Sequence, residues 1–144
     1  MTGQHLTPQQ TYRKGIYECL CEMHASTAYK SIPMNSEKMM QLIEFCIQDG
    51  FVYFDGECLM LGKTFEPWFS DELAASDIVL YTIKGSRGKG LAKKAVECFI
   101  DWANSKGVKR GNITLAQSTG TNSKEFKRLA ETFNMTKVGE VYNV

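Results

Sequence analysis

The sequence predicts an α/β fold in a single domain, and three observations carry that prediction. A β-branched, apolar run from Ile78 to Ile83 is followed by three glycines, Gly85, Gly88 and Gly90. The period then changes, and Leu91, Ala95, Val96, Phe99, Ile100 and Ala103 fall on one helical face. An Asp55-Gly56 pair divides two further apolar runs, the mark of a β-hairpin. At 144 residues and 43% hydrophobic, the chain is long enough to bury one core. We expect a flexible tail over residues 1–10 and one domain over 11–144.

In chain order, Tyr12, Ile16, Cys19, Leu20 and Met23 keep helical spacing, which predicts a first helix from Thr11 to about Tyr29. Pro33 breaks it. Asn35 or Ser36 caps a second helix with Met39, Leu42, Ile43, Cys46 and Ile47 inward and Gly50 past its end. The hairpin pairs Phe51–Phe54 with Glu57–Lys63. A loop over Thr64–Ser76 carries Trp68, Phe69 and several acids, and Asp77 opens the next strand. After the central unit, Gly107 ends its helix, Gly111–Gln117 alternates as a short strand, and Asn122 with Glu125 forms a capping box. Phe126, Leu129, Ala130 and Phe133 mark a last helix, and Thr136–Val144 a last strand.

A strand, a glycine-rich turn and a helix together aim unpaired backbone N–H groups at an anion. The spacing excludes two well-known phosphate loops. From Gly85 a Walker A register reaches Gly90 but then meets Leu91 and Ala92 instead of Lys and Ser/Thr. A dinucleotide fingerprint needs its two gaps in the opposite order.

Net charge is +1, but residues 37–77 hold two bases and nine acids while residues 78–144 hold twelve bases and five acids. Between residues 84 and 94 there are five bases and no acid. Such a division suits a polyanionic cofactor beside a cationic amine; nucleic-acid binding gains little support from the near-zero total. Five cysteines without a C-x-x-C pair, and two histidines, signal neither a disulfide framework nor a metal site. No run is apolar and long enough to span a bilayer, and residues 1–10 lack a signal-peptide core, so a cytoplasmic protein without a membrane partner is expected.

The stretch Arg87-Gly88-Lys89-Gly90-Leu91-Ala92 resembles the pyrophosphate motif of the GNAT superfamily of acyl-CoA N-acyltransferases, written Arg/Gln-x-x-Gly-x-Gly/Ala. The order of elements is similar along nearly the whole chain. A second similarity lies at Asn122 and at Leu129–Met135, where the superfamily often has Asn and then Leu-Tyr-x-x-x-Gly-Phe. Asn134 stands for the glycine, Met135 for the phenylalanine and Ala130 for the tyrosine that commonly protonates the leaving thiolate. The Ser118–Asn122 turn is similar to that of some phage-encoded members, which would place the protein in a host's cytoplasm.

The resemblance implies a mixed, mostly antiparallel sheet flanked by helices, here without the usual first strand, so that the sheet either lacks that edge or receives it from another chain of a homodimer. It implies acetyl-CoA as co-substrate, no metal, and direct transfer to an amine of a small molecule or protein. Backbone groups of Tyr81, Thr82 and Ile83 would pair with the pantetheine arm, and Asn122 would reach it from the far side. The N–H groups of Gly88, Lys89, Gly90, Leu91 and Ala92 would surround the pyrophosphate, with Arg87 beside them. An ammonium must lose a proton before attack; Asp77 is the candidate base, with Glu66, Asp71 and Glu72 as alternatives. Tyr142 and Tyr81 are the tyrosines left as candidate acids. Glu66, Trp68 and Phe69 would form an acceptor wall. With Ala130 in place of the tyrosine, a weakened module binding CoA or a protein partner is the alternative, and a nucleic-acid-directed transferase a third reading.

Overall fold

The fold is that of a computed structural model, which describes residues 6–27, 29–116 and 123–139. Helices α1 (Pro8–Ala25) and α2 (Ser36–Gln48) precede strands β1 (Phe51–Phe54), β2 (Cys58–Phe65) and β3 (Ala74–Thr82). Helix α3 (Leu91–Ser105), a two-residue strand β4 (Ile113–Thr114) and helix α4 (Ser123–Thr132) follow. The sheet runs β1-β2-β3-β4, antiparallel at the first two junctions and parallel at the third. This is the expected mixed, mostly antiparallel sheet flanked by helices.

Alternation along the strands divides the core in two. Met60, Ala75 and Leu80 face α3, where they meet Ala95, Val96, Phe99 and Ala103. Leu59, Leu61, Val79 and Tyr81 face the other way, onto Ile16, Leu20, Ile43 and Cys46 of α1 and α2. Gly62 lets α3 come close: a Cβ there would lie 2.5 Å from the Phe99 ring. The five cysteines are free thiols. Burial pushes the Cys19 thiol up to about 12.

Several boundaries differ from the sequence expectation. Residues 8–10, expected in the tail, form the first turn of α1. Thr7 Oγ1 accepts the Gln10 N–H and Gln10 Oε1 accepts the Thr7 N–H, with Pro8 at the first helical position. That helix stops at Ala25, where Ser26 caps it, and not near Tyr29. Asp55 Oδ1 accepts the N–H groups of Glu57 and Cys58, so the hairpin turn centres one residue later than the Asp-Gly pair implies.

The loop after β2 is shorter than Thr64–Ser76, because β2 runs to Phe65 and β3 begins at Ala74. Asp77 therefore sits inside β3. The small residues Ala74, Ala75 and Ser76 pair with β2, and Ala75 and Ser76 also with β4, although their propensity does not announce a strand. Opposite Leu61 and Gly62 the register slips by one residue at Ile78, a β-bulge. Of the strand expected over Gly111–Gln117, only Ile113–Thr114 is strand among the described residues, because a 3-10 turn occupies Arg110–Asn112 and Leu115 and Ala116 leave the ladder; Gln117 lies outside the described residues. Residues 136–139 of the expected final strand are not in a strand, and 140–144 lie outside the described residues.

Candidate active site

Strand β3 ends at Thr82, and the chain then makes the turn into α3 with few side-chain props. Ile83 is extended and gives its N–H to the Glu57 carbonyl at 2.9 Å. A single 3-10 turn, Lys84–Ser86, follows, and Arg87 is extended again. The Arg87 Nε–H donates to the Thr82 carbonyl at 3.1 Å, while its guanidinium lies 5.5 Å from the Tyr81 ring centroid. Gly88 (φ 85°) and Gly90 (φ 73°) are both left-handed, the conformation glycine tolerates best.

Gly90 is the N-cap of α3, and no side chain caps that end. The N–H groups of a helix's first turn have no intrahelical partner and carry the positive end of its dipole. A Cβ added at Gly88 or Gly90 would meet no atom within 4 Å, so both glycines border open space. That space is a cleft of about 320 Å³. Leu80 and Thr82 line it from β3, Arg87, Gly88, Gly90, Leu91, Ala92 and Lys93 from the turn and α3, and Phe126, Arg128 and Leu129 from α4. Glu125 of α4 also lines the cleft, but Arg87, Lys93 and Arg128 outnumber it. This cationic excess and an uncapped helix N-terminus on an apolar floor suit a polyanion with an organic arm.

Beside this cleft the sheet opens. Among the described residues, strands β3 and β4 pair only at Ala75–Ile113 and Ser76–Thr114. Past that point the Asp77 carboxylate reaches across, and its Oδ1 accepts the Ala116 N–H at 2.7 Å. Asp77 is 8% exposed, and burial pushes its carboxyl up to about 6 despite that bond. A buried carboxylate titrating near neutrality is suited to taking a proton at working pH.

The structure brings together most of the residues assigned to the cofactor. Thr82, Arg87, Gly88, Gly90, Leu91 and Ala92 share the cleft wall, with Lys89 between the two glycines. The pairing expected of Tyr81–Ile83 is partly occupied, since the Thr82 carbonyl and the Ile83 N–H already have partners. The Tyr81 side chain turns away from the cleft. Its hydroxyl donates to Glu22 Oε2 at 2.7 Å on the α1 side, and burial, then the Glu22 bond, raise its pKa. Asn122 and Tyr142 lie outside the described residues.

Glu66, Trp68 and Phe69 are not on the cleft wall. Their loop enters β3 at its start, whereas the glycine turn leaves from its end, and nine residues of strand separate the two, about 27 Å. Trp68 is 96% exposed and meets Phe69 edge to face at 5.4 Å. Glu72 pairs with Lys109 and accepts from Asn112.

Sequence reading missed the contribution of α4 to the cleft, and with it Arg128. The spacing of Phe126 and Leu129 marks a helix face, and nothing in it says that the face borders a cleft. Glu57 and Ser86 were also missed, since nothing in sequence links a hairpin turn to a loop 29 residues away. Asn134, read as a substitute for a helix-ending glycine, does adopt a left-handed conformation (φ 56°). The Met135 N–H closes the turn on the Ala130 carbonyl at 2.9 Å.

No family model and no curated protein matches the chain. Solved structures do. A ribosomal-protein-alanine N-acetyltransferase from Brucella melitensis biovar Abortus 2308 is 13% identical with a TM-score of 0.65, covering 93% of this chain and 91% of that one. An aminoglycoside acetyltransferase from an uncultured soil metagenomic sample is 12% identical with a TM-score of 0.63, covering 96% and 93%. A predicted acetyltransferase with acetyl-CoA from Clostridium acetobutylicum is 12% identical with a TM-score of 0.62, covering 92% and 90%. The chain has the GNAT acyltransferase fold.

Proposed function

We propose that the protein is an acetyl-CoA-dependent N-acetyltransferase that lets an amine attack directly in a ternary complex. The observation that carries this reading is the uncapped N-terminus of α3, with two left-handed glycines facing a cleft beside the opened β3–β4 junction. Acetyl-CoA supplies an activated acetyl carbonyl when bound. The N–H groups from Gly88 to Ala92 would hold its pyrophosphate, with Arg87, Lys89, Lys93 and Arg128 neutralising charge. Main-chain groups of β3 that face the gap, with Asn122, would orient the pantetheine arm.

On the acceptor side, Asp77 takes the proton from the incoming ammonium. Ala130 has no proton to give, so Tyr142 or solvent serves the leaving thiolate. Glu66, Trp68 and Phe69 lie off the cleft wall, beyond the start of β3, and would meet the acceptor only on the Asp77 side of that strand, away from the glycine turn. An amine acceptor is supported by the similar structures, whose names specify a ribosomal-protein alanine and aminoglycosides.

Titration calorimetry with acetyl-CoA, then a transfer assay against aminoglycosides, polyamines and peptides with free N-termini, tests the reading. Binding with turnover of at least one amine class supports it, and no acetyl-CoA binding overturns it. Ala130 favours one second reading, a module that binds CoA without transfer. Binding without turnover of any amine would select that reading. Salt-sensitive binding of DNA or RNA by a protein indifferent to acetyl-CoA would select a nucleic-acid-directed one.

A further inference from the structure

Glu57 lies in the β1–β2 turn, yet it touches the glycine turn in three ways. Its carbonyl accepts the Ile83 N–H at 2.9 Å. Its Oε1 accepts the Ser86 hydroxyl at 2.7 Å and lies 3.6 Å from Lys89 Nζ. Glu57 is itself held, because Asp55 Oδ1 accepts its N–H at 2.8 Å. Ser86 is 4% exposed, so its hydroxyl has been taken from water and depends on that carboxylate for a partner.

The stretch 84–94 contains no acid, so this negative charge is brought to a basic loop from another part of the chain. A carboxylate beside an anion site works against the anion unless it does something else for the loop. Here it ties down the residue preceding Arg87 and neutralises Lys89 through a solvent-exposed, hence readily exchanged, pair. We propose that Glu57 is a positioning residue for the phosphate loop: through Ser86 it fixes the loop's conformation, and it holds Lys89 until an anionic ligand takes that lysine over. The ligand part of this proposal rests on the acetyl-CoA reading above.

The test compares wild type, Glu57→Gln, Glu57→Ala and Ser86→Ala by hydrogen exchange of the free proteins and by acetyl-CoA binding and kinetics. The glutamine keeps an acceptor for Ser86 and drops the charge. It should protect the amides of residues 83–90 as wild type does and bind acetyl-CoA at least as tightly. Glu57→Ala and Ser86→Ala should loosen those amides while residues 59–61 stay protected. Glu57→Ala should also raise the acetyl-CoA Kd and KM about tenfold with kcat little changed, the loss of one hydrogen bond to a charged group. Unchanged exchange in both Glu57→Ala and Ser86→Ala overturns the brace, and a Glu57→Gln as impaired as Glu57→Ala overturns the division of roles. Wild type that fails to bind acetyl-CoA defeats the cofactor reading, while the exchange comparison still decides the brace.

Discussion

Asp77 Oδ1 accepts the Ala116 N–H at 2.7 Å, just past the last paired residues of β3 and β4. A side chain thus takes over where the backbone ladder stops, and the two strands stay joined as they separate. The carboxyl sits in a buried place and is raised from 3.8 to about 6. In the folded protein it keeps its proton over a range where the unfolded chain has lost it. Stability from this group is therefore full below about pH 4 and declines as pH climbs to about 6, by at most about 3 kcal/mol. In Asp77→Asn the amide oxygen still accepts the Ala116 N–H and never ionises. Melting curves should show the variant gaining on wild type between about pH 4 and about pH 6, and a constant difference would contradict the raised carboxyl.

The same substitution probes catalysis. If Asp77 takes the ammonium proton, Asp77→Asn should lower kcat roughly 100-fold with acetyl-CoA affinity nearly intact. Wild-type rate should rise with pH through about 6 as the carboxyl ionises, and the deficit of the variant should shrink at high pH, where the amine is already neutral. A small, pH-independent effect would move the role to Glu66, Asp71 or Glu72.

Much of this architecture is legible in the sequence because it follows from local pattern. The α3 face and the glycine turn stand where the period changes from two to three and four, and Asn35 caps α2 through the Lys38 N–H as its position predicts. Thr7-Pro8-Gln9-Gln10 also spells a capping box, but no apolar residue repeats before Tyr12 to draw attention to it. The start of β3 is hidden for a different reason. Ala75 is there because α3 packs against it, and close packing is a property of the partner element. The Asp77–Ala116, Glu57–Ser86 and α4 contacts join residues far apart in the chain, and a single sequence carries no signal for such pairs.

Gly62 offers a test of the packing that seats α3 on the sheet. Its missing Cβ would fall 2.5 Å from Phe99 Cε1 and 3.1 Å from Cδ1, with the Phe99 ring stacked on Trp102 and edge to face with Phe51. The ring has little room to withdraw. Gly62→Ala should cost about 1–3 kcal/mol by overpacking, measured by denaturant unfolding. A neutral or stabilising result would mean that α3 shifts freely over β2.

Gly90 and Gly107 stand at opposite ends of α3 and make a matched pair. Both are left-handed (φ 73° and 90°), and at both an added Cβ would meet nothing within 4 Å. Only Gly90 borders the cleft. Replacing either by Glu imposes a similar backbone cost, about 1–2 kcal/mol for an L-residue in the left-handed region. At Gly90 the new side chain and its charge would also enter the space assigned to the pyrophosphate. Gly90→Glu should therefore lose acetyl-CoA binding by calorimetry, while Gly107→Glu melts comparably early and binds normally. If the two variants bind alike, the loss of affinity reflects stability alone and the anion does not sit at the N-terminus of α3. If folded Gly90→Glu binds as wild type does, the cleft is not the cofactor site.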